Sequence, residues 1–336
     1  MFDLKKLKAI LEDKINKCDN VVIIPHNNAD FDAIGSAIGI SLIAKELNKT
    51  YTIIVNDPPH IIESGVKKII DECKDNYVIL KKDKFLKAQS NKSNPLFILC
   101  DVNKANLICV NDILPDKEDV IVIDHHNSDK NTVNSNHIFI DCEKSSASEI
   151  ITELLQSMKI TIPSDAANYL YAGIYLDTAK LTKNCKANTM NMAAKLLESG
   201  ADISKVNEYF KEDYKSDRRV QSLISNIKIT NCMIALIKAS EDEEYTREEL
   251  AKAADYALKF GVDAAFSIGK IEDNVISISG RATDKVNVGM LMEAVATNGM
   301  GGGNPYSGAA KITDQSIDEA YEKLINELKP VYYIKK

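Results

Sequence analysis

The chain has 336 residues, which predicts about two domains at roughly 150 residues per domain. Hydrophobic residues make up 45% of it and charged residues 27%, a composition that excludes a disordered chain and predicts a folded, soluble protein. With 42 Lys and Arg against 49 Asp and Glu, the net charge of −7 argues against long duplex nucleic acid as a ligand but leaves small phosphorylated ligands open.

The start of the chain, MFDLKKLKAILEDKI, places Leu and Ile at helical spacing and predicts an amphipathic helix, not a signal peptide. No run approaches the roughly 18 apolar residues of a membrane span, so we expect no membrane association. The first predicted strand begins only about twenty residues after Met1, so we also expect a freestanding module. The seven cysteines are scattered and lack any CxxC spacing, which argues against a disulfide framework and structural zinc. These features favour a reducing cytoplasm.

The first half alternates short β-rich runs with helical stretches. Strands are expected at 21–25, 51–55, 95–100 and 120–123. Helices are expected at 33–47, 61–72, 146–156, 165–176 and 189–199. Ser146 with Glu149 three positions later predicts a capping box at one of these helices. This βαβα order predicts a parallel sheet with helices on both faces, whose ligands gather beyond the carboxyl ends of the strands.

The pattern changes after a charged segment, Lys211 to Arg219, where we place the connection between the domains. Strand-like MIALIKA is followed by a helix over 246–260, strands over 264–270 and 275–279, a helix over 288–298 and the glycine-rich GMGGGNPYSGAA. This second part is predicted to be a smaller α+β domain. The boundaries that we predict are 1–205, a linker over 206–225, and 226–336.

Histidine and aspartate follow three of the predicted strands. The residues concerned are His26, Asp30 and Asp32 after the first, Asp101 at the end of LFILC, and Asp124, His125 and His126 at the end of VIVID. Because such loops open on one edge of the sheet, we expect these side chains to converge. Carboxylates and imidazoles without cysteine suit Mn²⁺, with Mg²⁺ as an alternative and Zn²⁺ less suited. The number of ligands predicts two ions, and Asp177 in GIYLDT is positioned to complete the cluster.

Each of these residues also has an ordinary structural explanation. Taken alone, Asp30 or Asp32 is as readily the N-cap of the following helix as a metal ligand. Their occurrence together after three strands favours the metal. His60 and His137 have no such neighbours and are predicted to be surface residues.

The segments HNNADFDAIGSAIG, LCDVN, DHH, GIYLDT and GGGN with AA following resemble the DHH phosphoesterase family with its DHHA1 domain, over roughly residues 20–315. EKSSASEIITELL, AGIYLDTAKLT and DAAFSIGKIEDNVISISGRA are most similar to the catalytic module of cyclic di-AMP phosphodiesterases. The resemblance implies an α/β DHH domain, a smaller α+β DHHA1 domain, and a manganese-dependent phosphodiesterase that opens cyclic di-AMP to linear pApA. The alternatives are a nano-RNase or pAp phosphatase, or a nucleotide-binding regulator with little turnover.

The resemblance also implies roles for individual residues. His26, Asp30 and Asp101 would hold one Mn²⁺, and a second set would hold the other: Asp32, Asp101, His125 and Asp177. Asp124 would lie behind the ligands, and His126 would orient the phosphate or help protonate the departing oxygen.

In the second domain the resemblance implies a nucleotide site facing the metals, formed by Arg281, Gly301, Gly302, Gly303 and Asn304. The family pattern is GGGH, and Asn304 stands at the histidine position. Because Asn carries no positive charge, we expect phosphate binding there to be weaker or differently shaped. The glycine run is alternatively a tight connection, and Tyr306 is either a base-stacking residue or a packing residue. A small nucleotide is the expected partner, and a homodimer is left open.

Overall fold

The computed structural model describes residues 2–55, 64–88, 94–211, 214–283, 285–297 and 299–333. It divides into two compact units between Lys211 and Glu212. Within these ranges no helix is both long and apolar enough to cross a membrane.

The first unit contains a parallel sheet and the helices that cover it. The strands are β1 (Asn20–Ile24), β2 (Thr50–Val55), β3 (Ile79–Lys81), β4 (Pro95–Cys100), β5 (Val120–Asp124) and β6 (His137–Ile140). The helices are α1 (Leu4–Lys17), α2 (Phe31–Glu46), α3 (Ser64–Cys73), α4 (Lys82–Ala88), α5 (Ala147–Met158), α6 (Ser164–Asp177), α7 (Ala187–Glu198) and α8 (Ile203–Tyr209). Within the described residues the strand order is β3-β2-β1-β4-β5-β6, and each neighbouring pair is parallel.

Alternating side chains of the central strands enter two cores. Val21 and Ile23 of β1 face the core formed with α1, α2, α5 and α6. Val22 and Ile24 face the opposite core, which includes Phe85 of α4. The prediction of an α/β unit with helices on both faces is therefore confirmed. The edge strands β3 and β6 were not predicted, because they are short and, within them, only Phe139 of β6 is buried.

The direction of the chain across the sheet reverses between β1 and β4. From β1 the chain runs outward through β2 and β3, and then returns to pair β4 with the other side of β1. At such a switch point the connections leave in opposite directions and open a crevice at the carboxyl ends of the strands. The loops after β1 and β4, which carry His26 and Asp101, border this crevice.

The second unit is a smaller mixed sheet with helices, which confirms the predicted α+β class. Its strands are β7 (Ile227–Ile229), β8 (Ile234–Lys238), β9 (Ala264–Glu272), β10 (Val275–Ala282), β11 (Gly301–Gly303) and β12 (Ser307–Thr313). Its helices are α9 (Tyr214–Ser225), α10 (Arg247–Leu258), α11 (Val288–Val295) and α12 (Ile317–Tyr333). Among the described residues the strand order is β11-β12-β10-β9-β8-β7.

Two features of this region were not predicted from the sequence. The stretch predicted as a linker, 206–225, is largely helical, because its apolar residues fall at helical spacing: Val206 is buried in the first core, and Val220 and Leu223 in the second. The glycine run contains the edge strand β11, which pairs with β12.

Candidate metal centre

The structure brings the predicted ligands of the first unit together at the carboxyl edge of the sheet. His26 follows β1 and Asp101 follows β4. Asp124 ends β5, and His125 and His126 come directly after it. Asp30 and Asp32 lie at the start of α2, and Asp177 ends α6. Three overlapping groups have ligand atoms within 4.8 Å of one another. These groups are His26, Asp30 and Asp101; Asp32, His125 and Asp177; and Asp101, Asp124, His125 and His126.

Asp101 lies between the imidazoles of His26 and His125. Its Oδ2 is 3.5 Å from Nε2 of His26, which is also 3.6 Å from Oδ2 of Asp30. Its Oδ1 is 3.4 Å from Nε2 of His125, which is also 3.2 Å from Oδ2 of Asp177 and 3.8 Å from Oδ2 of Asp32. One carboxylate therefore offers a separate oxygen to each group and could be shared by two ions.

The hydrogen bonding of the cluster fits divalent cations. Among the described residues, the buried side-chain atoms without a hydrogen-bond partner are Oδ1 of Asp101, Nε2 of His125 and Oδ1 of Asn103. Leaving such atoms unpaired is costly, and native structures rarely do so. The Asp101 and His125 atoms belong to the cluster. Both carry lone pairs of the kind that bind a hard or borderline metal cation.

His26 and Asp30 are oriented by their own loop. Nδ1 of His26 is 2.8 Å from the carbonyl oxygen of Asn27, to which it donates, so the lone pair of Nε2 faces the cluster. Oδ1 of Asp30 accepts hydrogen bonds from the backbone N–H groups of Asp32 and Ala33, while Oδ2 faces His26. Asp30 is thus the N-cap of α2 through one oxygen and is available as a ligand through the other.

Asp32 is fully buried and is held by the N-terminus of α5. The N–H of Ala147 donates to its Oδ2 and the N–H of Ser148 to its Oδ1, each at 2.7 Å. The N-terminal end of a helix carries partial positive charge and stabilises a carboxylate there. Ser146 caps the same helix by accepting from the N–H of Glu149, as predicted, but the Glu149 carboxylate accepts from the N–H of Ser145 and not from that of Ser146.

Asp124 organises the turn that carries the two histidines. Its Oδ1 accepts from the N–H groups of His125 and His126 and, at 2.9 Å, from Nδ1 of His126. Its Oδ2 accepts from Nδ2 of Asn103 at 2.6 Å. Because Nδ1 of His126 donates to Asp124, its Nε2 is left for other partners, and the ring is 57% exposed.

The electrostatics of the cluster show how closely its charges are packed. Burial opposes protonation of His26 and His125, but the neighbouring carboxylates outweigh it. Asp101 and Asp30 raise the pKa of His26 to about 11, and Asp101, Asp177 and Asp32 raise the pKa of His125 to about 11. Burial and the neighbouring carboxylates raise the pKa of Asp32 well above its usual value. Burial likewise raises the pKa of Asp177. Without cations this centre retains protons, and bound cations would replace them.

The backbone near two of the ligands lies in the left-handed region. Asp101 has a φ of 58°, a conformation that aspartate tolerates better than most residues. After Asp177, the successive residues Ala179, Lys180 and Leu181 have φ values of 46°, 64° and 62°. The hydroxyl oxygen of Thr178 accepts from the N–H of Leu181 at 3.0 Å and stabilises this turn.

A cavity of about 370 Å³ adjoins the cluster. It is lined by His125, His126, Cys142, Glu143, Lys144, Ser145, Asp177, Asn184 and Lys186. Lys144 is held by Glu153, whereas Lys186 pairs with the exposed Glu143 and is itself more than half exposed. The sequence patterns did not identify the two lysines, since isolated lysines in loops carry no recognisable spacing. His137 is partly exposed and pairs with the exposed Glu118, and His60 lies outside the described residues.

The predicted nucleotide-binding residues lie in the second unit, where internal contacts already engage several of them. Arg281 donates from Nε to Asp255 at 2.8 Å and from Nη1 to the carbonyl of Gly280. Oδ1 of Asn304 accepts from the N–H groups of Tyr306 and Ser307, each at 2.8 Å. Substrate contact by these residues stays a prediction.

The glycine run has a packing function of its own. A Cβ on Gly301 would lie 2.2 Å from the carbonyl oxygen of Met292, and one on Gly303 would lie 2.2 Å from that of Ser307. A Cβ on Gly302 would meet only the Glu293 side chain, at 3.6 Å, although its φ of 154° also favours glycine. The run is therefore needed to bring β11 against α11 and β12, whatever it binds.

Two known protein families match the two units of the chain. The family model described as "DHH family, N-terminal domain" matches residues 20–174, and the "DHHA1 domain" model matches residues 227–330. The chain is 29% identical over 324 residues to "Cyclic-di-AMP phosphodiesterase GdpP" of Bacillus subtilis, covering 94% of this chain and 48% of that protein. It is also 29% identical over 328 residues to "Cyclic-di-AMP phosphodiesterase PdeA" of Listeria monocytogenes, covering 96% and 49%. The chain thus spans about half the length of these relatives.

A shorter match and a solved structure extend the comparison. The chain is 27% identical over 217 residues to "Bifunctional oligoribonuclease and PAP phosphatase NrnA" of Mycoplasma genitalium, covering 63% of each protein. The crystal structure of an exopolyphosphatase-related protein from Bacteroides fragilis has the same fold, with a TM-score of 0.83 at 20% identity, over 98% of this chain and 97% of that one. The two family matches, on either side of the division between the units, show that the chain belongs to the DHH phosphoesterase family with its DHHA1 domain.

Proposed function

We propose that this chain is a manganese-dependent phosphodiesterase that hydrolyses cyclic di-AMP to linear pApA. The observation that carries the proposal is the position of Asp101, whose two oxygens face two separate groups of ligands. The relatives named cyclic di-AMP phosphodiesterases support the choice of substrate, since their similarity covers nearly the whole of this chain.

The residues divide into two ligand sets in this proposal. His26, Asp30 and Oδ2 of Asp101 would hold one ion. The other would be held by Asp32, Oδ1 of Asp101, His125 and Asp177. Two divalent ions, when bound, supply Lewis acidity toward water and charge neutralisation for the phosphoryl group.

The chain's own groups would orient the phosphate and supply the proton. Hydrolysis joins a water oxygen to phosphorus, breaks one P–O3′ bond and leaves a 5′-phosphate and a free 3′-hydroxyl. His126, oriented by Asp124 through Nδ1, presents Nε2 as the atom that can carry the proton to the departing 3′ oxygen. The adjoining cavity gives the nucleotide access to this atom, and Lys186 at its wall can contact a phosphate.

A second candidate is hydrolysis of short oligoribonucleotides or of pAp. The similarity to a bifunctional oligoribonuclease and PAP phosphatase supports it. Both candidates use the same metals and differ in the nucleotide.

The test is a turnover assay with cyclic di-AMP, pApA and pAp, each with Mn²⁺ and with Mg²⁺. We expect the highest kcat/KM for cyclic di-AMP with Mn²⁺. Faster turnover of pApA or pAp would replace the first candidate by the second. Asp101→Ala should abolish hydrolysis, with the exposed Asp129→Ala as the matched control. Full turnover by Asp101→Ala would refute the shared-ligand mechanism, and binding of a single Mn²⁺ per chain would refute the two-ion centre.

A further inference from the structure

We propose that Asn103 is a positioning residue of the metal centre, which fixes Asp124 and the turn 124–126 so that His125 and His126 reach their working positions. Its effect on turnover rests on the function proposed above, whereas its effect on metal binding does not. Neither the sequence patterns nor the family matches assign a role to this residue.

Both amide hydrogens of Asn103 are directed to the same turn. Nδ2 donates to Oδ2 of Asp124 at 2.6 Å and to the backbone carbonyl of His126 at 3.1 Å. The side chain is almost completely buried, with a relative exposure of 1% for the residue. Because a buried polar group is costly to leave unpaired, these bonds favour one orientation of the turn over others.

Asn103 is itself held by the loop between β5 and β6 and lies close along the chain to Asp101. It lies two residues after Asp101, and its carbonyl accepts from the N–H of Val133 at 2.8 Å. The side chain therefore links the loop after β4, which carries the shared carboxylate, to the turn after β5, which carries the imidazoles. This link fixes the spacing on which the 3.4 Å separation between Asp101 and His125 depends.

The donor chemistry at this position is specific. Oδ1 of Asp124 already accepts three hydrogen bonds from its own turn, so Asn103 is the partner of the other oxygen. Leu has a similar size but no donor, and Asn103→Leu would leave both Oδ2 of Asp124 and the carbonyl of His126 unpaired. Groups that orient metal ligands typically contribute 10- to 100-fold to metal affinity or activity.

The experiment compares Asn103→Leu with Asn168→Leu. Asn168 is also buried and lies in the same unit, where its Oδ1 accepts from the N–H of Asp202 at 2.7 Å. It lies nine residues before Asp177 on α6, or about 13 Å along the helix. Both variants should lose thermal stability. Only Asn103→Leu should lower kcat, by ~10- to 100-fold with KM changed less than about 2-fold, and weaken Mn²⁺ binding by a similar factor.

Asn103→Ser, which retains one donor, is the second variant and should give an intermediate loss of kcat and Mn²⁺ affinity. If Asn103→Leu does not fold, Asn103→Ser alone decides. Mn²⁺ affinity and kcat no lower than in Asn168→Leu would overturn the proposal. If the wild-type chain does not hydrolyse cyclic di-AMP, the proposed substrate fails, and calorimetric titration with Mn²⁺ alone still decides whether Asn103 positions the ligands.

Discussion

Replacing Gly173 by alanine should weaken metal binding, because the added methyl group would displace Asp32. Gly173 lies on α6, one turn before Asp177. A Cβ there would be 2.3 Å from Oγ of Ser148, 2.8 Å from Oδ1 of Asp32 and 2.9 Å from Cα of Asp32. The hydroxyl can rotate away, but the Asp32 backbone cannot move without moving α2.

The size of the effect follows from these distances. Carbon atoms in contact are normally about 3.5 Å apart or more, so Asp32 must retreat by ~0.6 Å or α6 must shift by as much. Overpacking of this kind costs about 1–3 kcal/mol, of which the higher helix propensity of alanine returns up to about 1 kcal/mol. The net loss of stability is therefore modest. A displacement of a functional group by ~1 Å, in contrast, can reduce turnover by ~100-fold.

The assay is Mn²⁺ titration by calorimetry, together with turnover and thermal unfolding of Gly173→Ala. The matched control is Gly39→Ala, where a Cβ would lie 2.5 Å from Cγ2 of Ile151 in the same helix packing but about 10 Å along α2 from Asp32. We expect both variants to be destabilised and only Gly173→Ala to lose Mn²⁺ affinity. Adding Ser148→Ala should not restore it, since the Asp32 clash remains. Wild-type Mn²⁺ affinity in Gly173→Ala would show that this reasoning is wrong.

Three further predictions concern stability, pH and substrate. Lys180→Gly should raise the free energy of unfolding in urea by about 0.5–1 kcal/mol, because glycine accepts the φ of 64° without a Cβ penalty; an unchanged midpoint would contradict this. Burial opposes ionisation of Glu149, but hydrogen bonds from Ser145 and its other partners outweigh it and lower its pKa below 4.5. The free energy of unfolding of wild type should therefore exceed that of Glu149→Gln by its full amount above about pH 4.5, and this difference should vanish as the pH falls through the lowered pKa of Glu149. A difference that persisted at lower pH would contradict this prediction. Lys186→Ala should raise KM for cyclic di-AMP by about 5-fold with kcat nearly unchanged, an effect absent from the exposed Lys183→Ala and equivalent to about 1 kcal/mol.

Much of the centre could be predicted from sequence because its ligands follow strands. A parallel sheet brings the ends of β1, β4 and β5 to one edge, so the βαβα pattern alone predicts that His26, Asp101 and His125 converge. Asp177 was identified from its place at the end of an apolar helix, and the packing of α6 beside α2 brings it to the same edge.

The supporting groups could not be predicted in this way. The amide N–H groups of Ala147 and Ser148 reach Asp32 across more than a hundred residues of sequence, and backbone donors leave no signature in side-chain spacing. Asn103 gave no signal because a single asparagine after a strand is a common loop residue. The glycine run was predicted as a ligand site or a connection, but its role in packing depends on the close approach of α11, which no local pattern encodes.

The ligands of the centre come from the loops after three strands and from the ends of two helices, so each bound ion would tie distant parts of the chain together. Such an ion would bind the native chain far better than the unfolded one and would stabilise it by about 2.7 kcal/mol at a concentration 100 times its Kd. The amount of folded protein would then follow the supply of metal. Chelation would not only stop turnover but also shorten the lifetime of the chain before proteolysis.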